Sequence, residues 1–212
     1  MTKVVLHGYW RSGTSYRTRI GLALKGVAYR QVGHDLRLGE QRSPAYLAMN
    51  PQGLVPALET DEGVVLTQSP AILEWLDETY PEPPLLPAEP ADRAIVRAMA
   101  ATIACDIHPL NNLRVLGAVR ALDPDAVSGW TTRWIAHGFA ALEVQIASHG
   151  RGFAFGDTPT LADCHLVPQV YSAKRFAVDL SPYPRLAAAA EHARAHPAFQ
   201  AAHPDRQPDA DV

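Results

Sequence analysis

The run Tyr80-Pro81-Glu82-Pro83-Pro84-Leu85-Leu86-Pro87-Ala88-Glu89-Pro90 divides the chain into two stretches of different pattern. Proline fixes its own φ and withholds a backbone donor, so neither a helix nor a central strand runs through such a segment, and it reads as a linker. On its N-terminal side, short apolar runs alternate with helical stretches. On its C-terminal side no convincing strand remains and helical periodicity dominates. The expected architecture is an α/β domain over 1–84 followed by an all-α, helical-bundle domain over 85–212.

The first half opens on an apolar run, Val4-Val5-Leu6, that reads as a buried strand. Trp10-Arg11-Ser12-Gly13-Thr14-Ser15 follows as a turn, and residues 17–24 have helical propensity, with Ile20, Ala23 and Leu24 on the inward stripe and Gly26 as the stop. Ser12, Thr14 and Ser15 therefore carry hydroxyls where a helix begins, beside unbonded backbone N–H groups and the positive end of the helix dipole. Such a place stabilises an anion, and it lowers the pKa of a thiol that ionises there. The same residues also suit an ordinary capped turn.

A second strand at 29–32 makes a βαβ unit. A polar loop over 34–43 and a short helix over 44–49 come next. Strands at 58–60 and 64–66, joined through Asp61-Glu62-Gly63, complete a small mixed sheet of four strands. Pro56 either begins the third strand or forms a cis peptide that offers the Val55 backbone to a ligand. Ser69 is expected to cap the next helix with Pro70 at its first position, which is a second helix N-terminus able to grip a carboxylate, with the Gln68 amide beside it.

In the second half, Ile95, Val96, Met99, Ile103 and Ile107 form an apolar stripe, and Pro109 is expected to break that helix just before Asn111, Asn112 and Arg114. Trp130, Trp134, Phe139, Leu142 and Ile146 belong to a second long helix. Thr160-Leu161-Ala162-Asp163 is a capping box, and 184–195 is an alanine-rich helix. The tail from His203 is polar, contains proline and is expected to be loosely held. Cys105 and Cys164 fall in apolar helical stretches and read as free, buried thiols in a reducing compartment, hence the cytoplasm. The net charge of −3 gives no general affinity for nucleic acid or acidic membrane. No run is long enough to span a bilayer, the N-terminus lacks the apolar segment of a signal peptide, and the histidines show no metal-ligand spacing, so no metal is expected. His137, His165 and His192 read as structural or surface groups.

In combination these motifs resemble the cytosolic glutathione transferases, and among them the zeta class. The resemblance rests on Arg11-Ser12, the 17–26 helix, Asn50-Pro51, Val55-Pro56, Gln68-Ser69, Asn112-Leu113, Gly156-Asp157, Ala162-Asp163, Val167-Pro168-Gln169-Val170 and Arg175-Phe176. Zeta-class maleylacetoacetate isomerases carry Ser-Ser-Cys where this chain has Ser12-Gly13-Thr14, so no role of that cysteine carries over. The Trp10 to Ser15 form, with Cys105-Asp106-Ile107-His108-Pro109 and Asn111-Asn112-Leu113-Arg114, is more similar to bacterial maleylpyruvate isomerases.

The resemblance implies a thioredoxin-like N-terminal domain that binds glutathione, a helical domain that contributes to the site of a small dicarboxylic keto acid, and a homodimer. It places Ser12 and Thr14 against the glutathione sulfur, with Gly13 between them also cofactor-binding, Gln41 on the tripeptide and the Val55 backbone on its cysteinyl part. Gln68 and Ser69 would hold the γ-glutamyl carboxylate, Asp106 and His108 would complete the site, and Asn112 would lie near it. The implied activity is isomerisation of maleylpyruvate to fumarylpyruvate in gentisate breakdown, by reversible addition of the thiolate to the conjugated alkene. Ser12 and Thr14 would serve the sulfur, while Arg11, Arg114 and Arg175 would hold carboxylates and the developing enolate. A maleylacetoacetate isomerase of tyrosine breakdown, a conjugating or dehalogenating transferase, and a non-catalytic protein that reuses the fold are the alternatives. Tyr16 is a competing thiol-activating group, since other glutathione transferases use a phenol.

Overall fold

The computed structural model describes residues 3–211. Its contacts resolve into two units: the chain up to Pro84 together with the chain from His196 onward, and Leu85–Ala195 between them.

In the first unit, β1 (Val5–Gly8) and β2 (Arg30–Gly33) pair in parallel, with α1 (Gly13–Leu24) as the crossover that a parallel pair requires. β3 (Ala57–Glu59) lies antiparallel to β1 and β4 (Val65–Thr67) antiparallel to β3, giving the order β2-β1-β3-β4. Leu6 pairs with Leu58 in the ladder, and both are fully buried. The helices α2 (Pro44–Met49) and α3 (Ser69–Thr79) complete the α/β part. α1 and α3 meet at Gly21, where a Cβ would stand 2.3 Å from Leu73 Cδ2, so a larger residue there would displace that side chain.

α1 differs from the one-sided helix expected. Every residue from Ser15 to Leu22 is buried, whereas Ala23 and Leu24 are only half-buried. The cause is packing on more than one side, by α3 and by α9 (Pro197–Ala201). Arg19 is tolerated in this interior because its Nε donates to Ala202 O at 3.0 Å and its Nη2 to Trp10 O at 2.8 Å. Lys25 at the end of α1 donates to Asp77 Oδ1 and to Pro83 O.

The expected second domain, 85–212, therefore ends early, and its tail is not loose. Phe199 and Ala202 are buried in the first unit, and Asp209 accepts from Trp10 N and Gln31 Nε2. Polar residues that look like a solvated tail in one dimension find donors in three.

The helical unit contains α4 (Pro90–Ala101), α5 (Leu113–Leu122), α6 (Ala126–His149), α7 (Leu161–Arg175) and α8 (Pro184–Ala195). α7 is its core, buried continuously from Leu161 to Val170. The capping box forms as expected: the Thr160 side chain accepts from Ala162 N, while Asp163 accepts from Thr160 N at 2.9 Å and from Ala154 N at 2.8 Å. Asp163 is fully buried, and burial pushes its carboxyl up to about 6. Between α4 and α5 the chain makes a π-helical turn at Thr102–Ile107 and a 3-10 turn at His108–Asn111, so Pro109 does interrupt the helix. Among the described residues no helix is long and apolar enough to cross a membrane.

Candidate functional site

The loop between β1 and α1 is fixed from several directions. Gly8 leaves room for Ser15, whose Oγ accepts from Tyr9 N at 3.2 Å; a Cβ on Gly8 would sit 3.0 Å from that oxygen. Ser12 N donates to Tyr9 O, and Ser12 is the N-cap of α1, with its Oγ accepting from Ser15 N at 3.3 Å. Ser12 Oγ also lies 2.9 Å from Thr14 Oγ1, which in turn donates to Val55 O at 2.8 Å.

The direction of these bonds follows from proton counting. A hydroxyl has one hydrogen, and a carbonyl can only accept. Thr14 gives its hydrogen to Val55 O, so the bond between the two hydroxyls is donated by Ser12. The Ser12 proton thus points at a neutral hydroxyl oxygen, a weaker acceptor than any anion. An anion arriving at the N-terminus of α1 can take that proton as a hydrogen bond without disturbing Thr14. The two hydroxyls that are equivalent by sequence alone acquire different roles: Ser12 is the available donor and Thr14 the anchor.

Val55 is itself well placed. The Val55–Pro56 peptide is cis, one of the two forms the sequence allows. The preceding carbonyl, Leu54 O, accepts from Tyr46 Oη and Asn50 Nδ2, both at 2.7 Å. Burial pushes the Tyr46 phenol up to about 12, so it remains a donor at neutral pH. Tyr9, Trp10, Tyr46 and Val55 pack as one buried apolar cluster.

Gln68 and Ser69 stand at the opening of α3, with one correction. Gln68, not Ser69, occupies the N-cap position, and Ser69 is the first helical residue. The backbone of Gln68 has φ 67° and ψ 110°, an arrangement disfavoured for a residue with a Cβ. Its side-chain Nε2 donates to Gln52 Oε1 at 2.7 Å. Ser69 is 1% exposed, yet its Oγ has no hydrogen-bond partner among the described residues, and the same is true of Gln41 Oε1. Unsatisfied buried polar atoms are uncommon, and the one at Ser69 stands beside a positive-φ residue at a helix N-terminus. Gly13 opens α1, and Arg11, half-buried, sets its guanidinium over the Trp10 ring at 5.3 Å.

The competing phenol has another task. Tyr16 is buried and its hydroxyl is engaged by Phe199 O at 3.5 Å.

The remaining expected residues belong to the helical unit. Asp106 is exposed on the π-helical turn, and His108 begins the 3-10 turn. Cys105 is exposed on the same turn, contrary to the expected burial; the extra residue of a π turn rotates it off the apolar stripe that Ile103 and Ile107 keep. Asn112 caps α5 by accepting from Arg114 N at 3.2 Å, and Arg114 is exposed in the first turn. Arg175 is exposed in the last turn of α7, 6.0 Å over the Tyr171 ring. The structure thus joins Ser12, Thr14 and Val55 by direct bonds and holds 106–114 as one capped segment. Sequence reasoning misses α5, the π turn, the Tyr46 and Asn50 bonds to Leu54 and the Asp209 contact. None of these has a local residue signature, apart from the polar Asn112 as a cap for α5.

Residues 11–79 match the family model of the Glutathione S-transferase N-terminal domain, and residues 124–192 that of its C-terminal domain. Maleylacetoacetate isomerase of Pseudomonas aeruginosa is 51% identical over 208 residues, covering 96% of this chain and 97% of its own. Maleylpyruvate isomerase of a Ralstonia species is also 51% identical, over 210 residues, covering 96% and 98%. Among solved structures, the holo form of a bacterial zeta-class maleyl pyruvate isomerase has a TM-score of 0.94 at 50% identity, covering 97% of this chain and 99% of that one. Maleylacetoacetate isomerase of Anaeromyxobacter dehalogenans, solved with glutathione in its active site, has a TM-score of 0.91 at 48% identity, covering 98% of each chain.

Proposed function

The chain belongs to the glutathione S-transferase family, and on that premise we propose that it is a glutathione-dependent cis–trans isomerase of maleylpyruvate. The observation that carries the reading is the ordered hydroxyl chain at the start of α1, in which Thr14 is committed to Val55 O and the Ser12 proton is left for an incoming anion. Glutathione, when bound, supplies a sulfur nucleophile that adds reversibly to a conjugated alkene and is not consumed.

The protein's residues fit that group. Ser69 Oγ and Gln41 Oε1 are buried without partners, and Gln68 lies beside Ser69 at the N-terminus of α3, a favourable end for a carboxylate. The Val55 backbone flanks the hydroxyls. Ser12 and the N-terminus of α1 hold the sulfur as an anion. A free thiol ionises at about 8.5, and lowering that to about 6.5, so that thiolate dominates at pH 7, takes about 2.7 kcal/mol. One hydrogen bond to a charged group contributes about 1.5–3 kcal/mol and a helix N-terminus about 0.3–1 kcal/mol, so the two together reach that value. Arg11, next to Ser12, and Arg114 and Arg175 are assigned to the carboxylates of the keto acid and to the charge that develops on addition. Asp106, His108 and Asn112 are assigned to cofactor binding by the resemblance. A homodimer, the cytoplasm and a place in gentisate breakdown belong to the same proposal. The domain division proposed is a glutathione-binding unit up to Pro84 and a helical substrate unit beyond it, with the 196–211 segment returned to the first.

A second reading, maleylacetoacetate isomerase, is supported by a relative of that name at the same 51% identity. The purified protein, given each keto acid with and without glutathione, separates the readings. Faster turnover of maleylpyruvate with glutathione undiminished supports the first; preference for maleylacetoacetate supports the second; stoichiometric loss of glutathione indicates a conjugating transferase. Ser12→Ala is expected to lower turnover at least tenfold. Equal turnover without any thiol would refute the proposal.

A further inference from the structure

The peptide unit that leads into the site is gripped by a segment nearly two hundred residues downstream. Trp10 N donates to Asp209 Oδ2 at 2.9 Å, and Trp10 O accepts from Arg19 Nη2 at 2.8 Å. Both backbone groups of the residue before Arg11-Ser12 therefore bond to charged side chains. Each grip is itself braced. Asp209 Oδ1 accepts from Gln31 Nε2 at 2.5 Å on β2, and Arg19 Nε donates to Ala202 O. Gly33 makes room for the carboxylate, since a Cβ there would stand 3.0 Å from Asp209 Cβ. Ala210 packs on the apolar cluster of Tyr9, Trp10, Tyr46 and Val55, and Asp211 pairs with Arg37.

We infer that Asp209 is a positioning residue for the isomerisation, which acts through the Trp10 amide to set the Ser12 hydroxyl. The geometry of that hydroxyl depends on its own bonds to Ser15 N and Thr14 Oγ1, on the bond from Ser12 N to Tyr9 O, and on the orientation of the Tyr9–Trp10 peptide, which carries both Tyr9 O and Trp10 N. The last of these is held by a charged group from outside the β1–α1 stretch, Asp209, through Trp10 N. A charged acceptor makes a stronger, shorter bond to an amide than a neutral one does. A carboxylate held between Gln31 and Trp10 therefore ties the loop to β2. Small displacements of an anion-stabilising donor are costly, because its contribution depends on hydrogen-bond length.

This inference rests on the role given above to Ser12, and its test separates the two. The full chain is compared with Asp209→Ala, Asp209→Asn, Gln31→Ala and Ser12→Ala. Four quantities are read: amide hydrogen exchange over residues 9–15 in glutathione-free protein, the thiol pKa of bound glutathione from its thiolate absorbance, kcat and KM for glutathione, and the thermal midpoint. Asp209→Ala is expected to accelerate exchange at Trp10 and its neighbours, raise the bound thiol pKa and lower kcat about tenfold. Asp209→Asn keeps one acceptor for two donors and should fall between the two. Gln31→Ala removes the brace alone, so a loss of about twofold in kcat is expected with a small rise in exchange. Where Asp209→Ala folds poorly, Asp209→Asn carries the test. Exchange and thiol pKa left at their parental values in the Asp209 variants, or a fall in kcat that tracks only the folded fraction, would overturn the inference while a defective Ser12→Ala keeps the underlying reading. A Ser12→Ala variant with parental thiol pKa and kcat would overturn both.

Discussion

Replacing Ser69 by alanine distinguishes a structural cap from a ligand contact by the sign of a stability change. As an N-cap, a serine satisfies a backbone donor, and its loss costs about 1 kcal/mol. In the structure Ser69 is the first helical residue, buried to 1%, and its Oγ has no partner among the described residues. A buried hydroxyl without a hydrogen bond is destabilising by about 1–3 kcal/mol, so its removal should leave the glutathione-free protein unchanged or more stable. For a chain of this size 1 kcal/mol corresponds to about 2–4 °C, which places the expected rise in thermal midpoint between zero and about 12 °C. Glutathione binding should move the other way. A hydrogen bond to a charged carboxylate contributes about 1.5–3 kcal/mol, and each 1.4 kcal/mol is tenfold, so Kd should weaken by roughly 10- to 150-fold. Thermal melts without the cofactor and calorimetric titration with glutathione measure the two effects independently. A midpoint that falls while Kd stays constant would refute the argument, because Ser69 would then be serving the helix and not the ligand.

Three further substitutions test the surrounding framework. Thr14→Val removes the donor to Val55 O and the acceptor for Ser12; a loss of about 1–3 kcal/mol in denaturant unfolding is expected, with Thr14→Ser restoring both stability and turnover. Arg11→Met should leave glutathione affinity within about twofold and lower turnover at least tenfold, which steady-state kinetics beside calorimetry will check. Asp163→Asn reports on the capping box through pH. Burial raises the Asp163 carboxyl from 3.8 to about 6, so the folded state holds that proton more tightly than the unfolded one. The resulting stabilisation is fully present below about pH 4 and is lost as pH rises through about 6. The stability gap between the parent and Asp163→Asn should therefore shrink by roughly 2 kcal/mol between pH 4 and pH 7, and a gap that widens with pH would contradict the assignment.

What sequence can deliver divides along a physical line. Features encoded within a few neighbouring residues are legible: the strand–turn–helix start, α2 at 44–49, the Thr160 to Asp163 capping box, the helix at 184–195 and the break at Pro109. Features that depend on what lies across the fold are not. Periodicity misplaces the inward face of α1 because it assumes a helix with one buried side, whereas α9 covers a further face and Arg17 and Arg19 are interior. The tail looks loose because polar residues count as solvated until a donor is found for them, and Trp10 N and Gln31 Nε2 are such donors.

The same line runs through the site. Ser12, Thr14, Val55, Gln68 and Ser69 stand out as residue types in suggestive places, yet their division of labour is a long-range property. Thr14 becomes the anchor only because Val55 O lies 2.8 Å away across the fold, and that one bond decides which hydroxyl retains a proton to give. Ser69 does not serve as the cap, because Gln68 takes the N-cap position, and its hydroxyl is buried with no partner among the described residues. In the first case the chemistry is set by a hydrogen-bond direction, in the second by the partner a buried hydroxyl lacks, and both are fixed only by tertiary packing. Residue identity states which atoms are present; the fold determines which of them still have a bond to offer.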